Sequence, residues 1–296
     1  MRWIRSGITY GLFPVWFTAS LFSAMWLHTA GVQPVIILVG VGVITAIIVA
    51  LAERIQPAHK QWSLSHDDMG TDSMHVAVSQ AIVPALMESA ITAAILHMSI
   101  SATAWIGQPI WPHSWPLVFQ LALALITAQF FEYWFHRLSH THPLLWRLHA
   151  THHCSKRLYF LNSGRFHPID TAALSLLSFG TLMFLGVGEQ VMFLMACWIT
   201  VHGLFQHCNI HLRLGPLNWV FSMAELHRWH HSQVMKEANN NYGNNILFWD
   251  IVFGTVYWPR DKDAGPQIGI EDMPNFPQTW WGQVCSPFRW NELTRG

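Results

Sequence analysis

Long apolar runs alternate with short polar segments along most of this chain. A helix needs about 20 apolar residues to cross a hydrocarbon core of about 30 Å. Four runs come close to that length, residues 7–27, 34–52, 76–98 and 115–135. Two shorter runs, 171–187 and 190–205, fit either two further spans or a shallow helical hairpin. The pattern predicts an all-α integral membrane protein with four to six membrane helices.

The positions of the basic residues predict how these helices are oriented. Lys and Arg are absent from residues 6–53, 61–136 and 166–212. If the amino terminus is cytoplasmic and every span crosses, all sixteen basic residues lie on one side of the membrane. By the positive-inside rule that side is the cytoplasm. The histidine-rich segments fall on the same side, so we expect them to form a cytosolic helical cap.

Composition agrees with a membrane protein and excludes some functions. Of 296 residues, 52% are hydrophobic and 11% are charged, against about 25% charged in a typical soluble domain. The net charge is zero, so nothing indicates nucleic acid as a partner. The four cysteines have no CxxC spacing, which argues against an iron–sulfur cluster or a zinc ribbon.

Ten of the nineteen histidines lie in four short motifs. These are HRLSH (His136, His140), HATHH (His149, His152, His153), HCNIH (His207, His211) and HRWHH (His227, His230, His231). Residues three and four apart share a helix face. In three of the motifs the histidines are therefore expected to point to the same side of a helix and to act together. One buried histidine is usually a hydrogen-bonded core residue, but neutral imidazole is also the commonest protein metal ligand. Clusters at helical spacing therefore predict a polynuclear metal site.

Ligand type alone leaves the metal open, because imidazole suits zinc, copper, iron and nickel. A single zinc ion would use about four ligands, and the motifs offer more than twice as many. Two iron ions use this supply better and add redox chemistry with dioxygen. We therefore predict two iron ions as cofactors and O2 as co-substrate, with zinc as a possible substitute.

Several sequence motifs together indicate a family. They are YWFHR (133–137), HRLSH, LWRLHATHH (145–153), LHRWHHS (226–232), NYG (241–243), WD (249–250) and FGT (253–255), together with QHCN (206–209) and RFHP (165–168). In this order they resemble the fatty acid hydroxylase and sterol desaturase superfamily, and the resemblance covers residues 115–260.

The resemblance implies a function and a ligand set. It implies a membrane oxidoreductase with a histidine-bound di-metal centre, dioxygen and external electrons. Such enzymes hydroxylate or desaturate acyl chains, sterols, carotenoids, ether lipids or head groups, and we favour hydroxylation here. The implied ligands are His136, His140, His149, His152, His153, His207, His227, His230 and His231. His167, His202 and His211 are additional candidates, as ligands or as residues that orient a ligand.

Other polar residues near the motifs are candidates for holding the imidazoles in place. A metal-bound imidazole usually donates its other N–H to a carboxylate or carbonyl oxygen. Glu132 lies four residues before His136, and Asp170 closely follows the RFHP motif. Charge balance with nearby arginines is the alternative role for both. Asn241 fits either a tight turn or the site, and Asp250 fits a turn cap or an arginine partner.

The metal centre itself carries the predicted chemistry, and no catalytic acid or nucleophile is assigned. The chain has no cytochrome b5-like segment and no GxGxxG fingerprint. We therefore expect a separate electron donor, a ferredoxin or a cytochrome b5-like protein with its reductase. Basic residues near the motifs are candidates for docking it, namely Arg147, Lys156, Arg157 and Arg228.

The predicted organisation is an amino-terminal membrane part (1–114), a catalytic domain (115–260) and an irregular tail (261–296). A metal-binding or transport protein without oxygenase activity is the alternative function. It would place ligands in the middle of the spans, where only Glu88 and His97 occur. A zinc hydrolase would need an acidic residue within a histidine motif, as in HExxH. The expected location is a bacterial inner membrane, or the endoplasmic reticulum in a eukaryote.

Overall fold

Helices form nearly all the regular structure of the protein. The computed structural model describes residues 2–294, apart from the side chains of residues 91, 93, 94, 96 and 97. Among the described residues there are isolated β-bridges but no strand. The predicted all-α fold class is confirmed. His97, assigned to a span by the sequence, has a side chain outside the described set.

The membrane-side helices come first along the chain. They are α1 (Arg2–Thr29), α2 (Pro34–Ile55) and α3 (69–106, built from Met69–His75, the π-helical turn Val76–Ile82 and Val83–Ile106). Next come α4 (Leu117–Thr141), α5 (Pro143–His153), α6 (Pro168–Phe184) and α7 (Glu189–Gln206).

Short helices follow in the carboxyl-terminal third. They are α8 (Ala224–His230), α9 (Met235–Ala238), α10 (Phe248–Phe253), α11 (Trp280–Cys285) and α12 (Trp290–Leu293). Single 3₁₀ turns lie at Lys60–Ser63, Phe160–Gly164, Gly215–Trp219 and Ser286–Arg289. Short helices thus occupy residues 280–293 of the tail that the sequence predicts to be irregular.

Three of the described helices, α1, α2 and α4, are long and apolar enough to cross a membrane. Helix α6 is apolar but shorter. The outward face of α2 carries four apolar side chains that are each at least half exposed, namely Ile36, Val39, Val43 and Ile47. Such an apolar surface is stable only against lipid or another apolar partner. This apolar surface therefore agrees with a membrane protein.

Helix α7 packs between α1 and α2 and continues towards the histidine-rich part of the protein. Phe13, Phe17, Val49 and Phe205 are buried where these three helices meet. The Phe13 and Phe205 rings contact edge to face, with centroids 5.3 Å apart. The packing fixes the end of α7, and His207 follows directly after its last residue.

Helices α4 and α5 form a tight hairpin that delivers two histidine motifs to one place. Pro143 is the first residue of α5, where its fixed φ favours a helix start and its missing N–H costs nothing. Helix α4 ends at Thr141, so the chain reverses over a single residue, His142. This reversal turns HATHH back towards HRLSH.

Candidate metal centre

Nine histidines converge in two adjacent sets. The first set is His136 and His140 from α4, His149 and His153 from α5, and His230 from α8. The second set is His152, His207, His227 and His231. Within each set the candidate ligand nitrogens all lie within 4.8 Å of one another. The sets adjoin, because the His153 ring stacks on the His231 ring with centroids 4.4 Å apart.

Each HxxHH motif is divided between the two sets. Residues four apart stay together, so His149 and His153 enter the first set and His227 and His231 the second. The third histidine of each motif points to the other set. The sequence predicts that the histidines of each motif lie on one helix face and act together. The structure departs from this because successive residues on a helix point about 100° apart, so neighbours such as His152 and His153 diverge.

Hydrogen bonds fix which nitrogen of the His136 and His149 rings is free. His136 Nδ1 lies 2.7 Å from the Tyr242 carbonyl oxygen, and His149 Nδ1 lies 3.0 Å from Asp170 Oδ2. A carbonyl or carboxylate oxygen only accepts, so each Nδ1 donates and each Nε2 keeps its lone pair. The Nε2 atoms of all five first-set rings are buried without a hydrogen-bond partner among the described residues. Five buried Nε2 atoms without a protein partner are a donor set that fits a metal cation.

Backbone carbonyls orient other rings in the same way. His230 Nδ1 donates to the Asn240 carbonyl oxygen at 2.8 Å, and His152 Nδ1 to that of Arg165 at 3.2 Å. These partners cannot be identified from the sequence. Every residue has a carbonyl, and only the fold determines which carbonyl lies beside a given ring.

An asparagine distant in sequence orients His207 of the second set. His207 Nδ1 donates to Asn162 Oδ1 at 3.0 Å. The amide orientation of Asn162 is fixed because its nitrogen donates to Ser155 Oγ and to the Arg157 carbonyl oxygen. The only local signal is the capping box that Asn162 forms with Tyr159 at the start of a 3₁₀ turn.

Three Nε2 atoms of the second set point at each other. His227 Nε2 lies 2.9 Å from His207 Nε2 and 3.0 Å from His231 Nε2. Two nitrogens bound to one ion at about 2.1 Å and at right angles would be about 3.0 Å apart. The spacing therefore fits three ligands of one ion.

Burial keeps five of these imidazoles uncharged. It lowers the pKa of His207 and of His230 to about 3. Burial also lowers the pKa of His152, His227 and His231 well below the usual value, and the neighbouring imidazoles add to the effect. Neutral imidazole is the form that binds metal, so these five residues fit a metal centre.

The three additional histidine candidates lie outside both sets. Both ring nitrogens of His167 have partners. Nε2 donates to the Val284 carbonyl oxygen at 3.0 Å, and Nδ1 accepts from the Ile169 N–H, so the side chain caps α6. His202 is buried among aromatic rings such as that of Phe221. His211 bonds through its backbone to Gln56.

Asp170 contacts a ring directly, whereas Glu132, Asn241 and Asp250 support the surrounding backbone and polar side chains. Glu132 accepts hydrogen bonds from Gln129 and Asn244. Asn241 has a φ of 53°, the left-handed backbone conformation that tight turns use. Asp250 accepts from the backbone N–H groups of residues 242 and 243, so it caps that turn as one alternative predicts.

Two buried ion pairs hold the loop 155–165, which carries the partners of His152 and His207. Arg157 pairs with Asp68 at 2.6 Å, and Arg165 pairs with Asp72 at 2.5 Å. Arg157 is therefore wrong as a docking residue for an electron donor. Arg228 is also wrong as a docking residue, because it is buried and donates to backbone carbonyls. Lys156 is exposed.

A narrow crevice lies beside the first set. Phe135, Phe166 and Leu174 form its apolar lining, and His136 and His149 lie at its inner wall. The crevice is closed to water-sized groups in this structure, so a substrate can reach these two rings only after its lining moves.

The fold and the site together define a class of protein. It is a helical membrane protein in which two adjoining sets of buried imidazoles have the spacing of metal ligands. The fatty acid hydroxylase family model matches residues 121–255, which include all nine histidines.

Comparison with curated proteins gives the same result over more of the chain. An ornithine lipid hydroxylase, OlsE, from Rhizobium tropici is 39% identical over 251 residues, covering 82% of this chain and 73% of the relative. The chain belongs to the fatty acid hydroxylase family, as the sequence motifs predict. The predicted enzyme class, an oxygenase rather than a metal transporter, is confirmed with it.

More distant relatives share only part of their length. An alkylglycerol monooxygenase of Xenopus tropicalis is 28% identical over 157 residues, which is 51% of this chain and 32% of the relative. A very-long-chain aldehyde decarbonylase, GL1-8, of Oryza sativa subsp. indica is 29% identical over 166 residues, 54% of this chain and 59% of the relative. The chain thus spans less than two thirds of each. No solved structure matches the chain.

Proposed function

We propose that the nine histidines hold two iron ions and that the protein uses dioxygen to hydroxylate a C–H bond of a membrane lipid. One observation carries the proposal: two adjoining sets of buried imidazoles whose candidate ligand nitrogens lie within 4.8 Å of one another in each set. All-nitrogen sites also suit zinc, but only a redox-active metal activates dioxygen. Hydroxylation is favoured over desaturation.

An ornithine-containing lipid is the first substrate to test. The support is the relative from Rhizobium tropici, whose printed name gives this activity and which aligns with 82% of the chain. We propose that the reacting part of the lipid reaches the first set through the crevice between Phe135 and Leu174. These side chains would exclude water and present apolar carbon to the metal centre.

The protein residues act by holding and orienting the metal centre. Asp170 and the Tyr242 carbonyl keep His149 and His136 in the tautomer that directs Nε2 inward. Iron, when bound there, supplies the oxidising chemistry that no side chain provides. Each oriented ring enters the reaction already aligned, so little reorganisation is needed.

Electrons are proposed to come from a separate ferredoxin or cytochrome b5-like protein with its reductase. The arrangement of basic residues favours a metal centre on the cytoplasmic side of the membrane. A bacterial inner membrane is the proposed location, with the endoplasmic reticulum as the eukaryotic equivalent.

The test is lipid mass spectrometry of a bacterium that makes ornithine lipid and expresses this chain. Cells carrying His230→Ala are the inactive comparison. His142→Ala is the matched control, because His142 is exposed and lies outside both histidine sets. We expect a lipid heavier by one oxygen atom with the unchanged chain and with His142→Ala, and its loss with His230→Ala.

Isotopically heavy dioxygen identifies the oxygen source. The label should appear in the product. A lipid lighter by two hydrogens would instead make the protein a desaturase. A purified protein that holds two iron ions, receives electrons and still leaves every lipid unchanged would refute the proposal.

A further inference from the structure

The short helix α10 runs beside the middle of α4. Trp249 Nε1 donates to the Ile126 carbonyl oxygen at 2.9 Å, and the Trp249 ring contacts the Phe130 ring with centroids 4.8 Å apart. Further along, the Phe253 ring contacts that of Trp134 at 4.9 Å. The contacts therefore extend along about two turns of α4.

Helix geometry gives the depth of these contacts. Ile126 and Trp134 lie nine and seventeen residues beyond Leu117, the first residue of α4. At about 1.5 Å per residue they are about 13 and 26 Å along the axis. A hydrocarbon core is about 30 Å thick. If α4 crosses the membrane from Leu117, then α10 lies at the depth of the lipid chains.

Polar groups of α4 at this depth bond to the segment before α10. Gln129 Oε1 accepts from the Asn245 N–H at 3.0 Å, and Glu132 Oε2 accepts from Asn244 Nδ2 at 3.1 Å. Gln129 and Glu132 are both buried. Within a bilayer such groups must be satisfied by protein, and residues 244 and 245 do this for α4.

The segment also satisfies its own backbone. Asp250 accepts from the N–H groups of Tyr242 at 2.8 Å and Gly243 at 2.7 Å. Thr255 Oγ1 donates to the same carboxylate at 2.7 Å. Non-helical backbone is tolerated at membrane depth only where it is buried in protein, and these bonds meet that condition.

The outward face of α10 is apolar and uncovered. Phe248 is 41%, Ile251 44% and Val252 53% exposed. These positions are three and four residues apart, so they form one stripe. Phe131 on the neighbouring α4 is 38% exposed. The α10 stripe therefore extends the apolar outer surface of a candidate membrane helix.

We propose that residues 242–255 form a re-entrant segment inserted into the bilayer beside α4, with lipid acyl chains covering Phe248, Ile251 and Val252. This goes beyond the proposed function and does not depend on the substrate. It also links the bilayer to the metal centre, because the Tyr242 carbonyl in this segment orients His136.

Thiol labelling tests the proposal in open membrane fragments, where a water-soluble maleimide reaches both faces. The background is Cys285→Ser, because the other three cysteines are buried. Single cysteines replace Ile251 or Val252. Glu271→Cys is the exposed aqueous control, and Val39→Cys, on the outward face of α2, is the lipid control.

We expect labelling at 251 and 252 to match that at 39 and to be at least about tenfold slower than at 271, because thiolate is the nucleophile and apolar surroundings suppress it. Labelling after denaturation in detergent verifies that each thiol is present. Labelling at 251 or 252 as fast as at 271 would overturn the proposal.

A second measurement separates lipid from a protein partner. A fluorophore attached at position 251 in detergent is reconstituted into vesicles whose acyl chains carry nitroxide groups. We expect strong quenching by these lipids and little by aqueous iodide. Protection from both quenchers would mean that another protein surface covers α10, and would also overturn the proposal.

Discussion

Replacing Asp170 by asparagine should weaken one of the two metal positions selectively. Asp170 Oδ2 accepts from His149 Nδ1 at 3.0 Å, and both side chains are buried. The change keeps the shape and removes the charge. A hydrogen bond to a charged group contributes about 1.5–3 kcal/mol and a neutral one about 0.5–1.5. The difference, about 1–1.5 kcal/mol, corresponds to roughly a tenfold loss of affinity.

The assay is titration of metal-free protein with ferrous iron against a chelator of known affinity. We expect the first set to bind about tenfold more weakly and the second set to be unchanged, because Asp170 contacts only His149 among the nine histidines. Glu225→Gln is the matched control, since it makes the same chemical change at a carboxylate that pairs with Arg213. Two unchanged affinities in Asp170→Asn, or equal losses in both variants, would refute the reasoning.

Three further predictions concern other parts of the site. His230→Ala and His152→Ala each remove one ligand from a different set, so metal analysis should show one ion held more weakly in each variant, with lipid turnover reduced at least about a hundredfold. Retention of two tightly held ions by either variant would contradict the assignment. His167→Ala should keep full metal content and lose about 1 kcal/mol of unfolding free energy with the helix cap, measured by denaturant titration. Asp72→Ala leaves Arg165 as an unpaired buried charge and should cost about 3–5 kcal/mol, whereas unchanged unfolding would show that the pair is not stabilising.

The membrane helices and the grouping of the histidines could be predicted because their signals are local. A run of apolar residues such as 34–52 predicts a helix from its own composition, and the structure places one at Pro34–Ile55. Histidines four apart, such as His149 and His153, share a helix face whatever surrounds them. The same local rule fails for His152, because the assignment of each ring to a set depends on where the neighbouring helices lie.

Partners distant in sequence could not be predicted. Asn162 orients His207 across 45 residues, and no local pattern connects the two. Glu132 has the spacing of a residue that supports His136, yet it bonds to Gln129 and Asn244 instead. Spacing on one helix fixes a direction, whereas the partner depends on a loop that follows more than a hundred residues later.

The ion pairs of loop 155–165 set a limit on how this catalytic unit can be divided or exchanged. Their carboxylates lie outside the residues 121–255 that match the family, with Asp68 directly before α3 and Asp72 in its first turn. A fragment or chimera that begins at α4 would carry all nine histidines but leave two buried guanidinium groups without counter-ions. Recombination within this protein is therefore expected to preserve function only when residues 60–75 are inherited together with the histidine motifs.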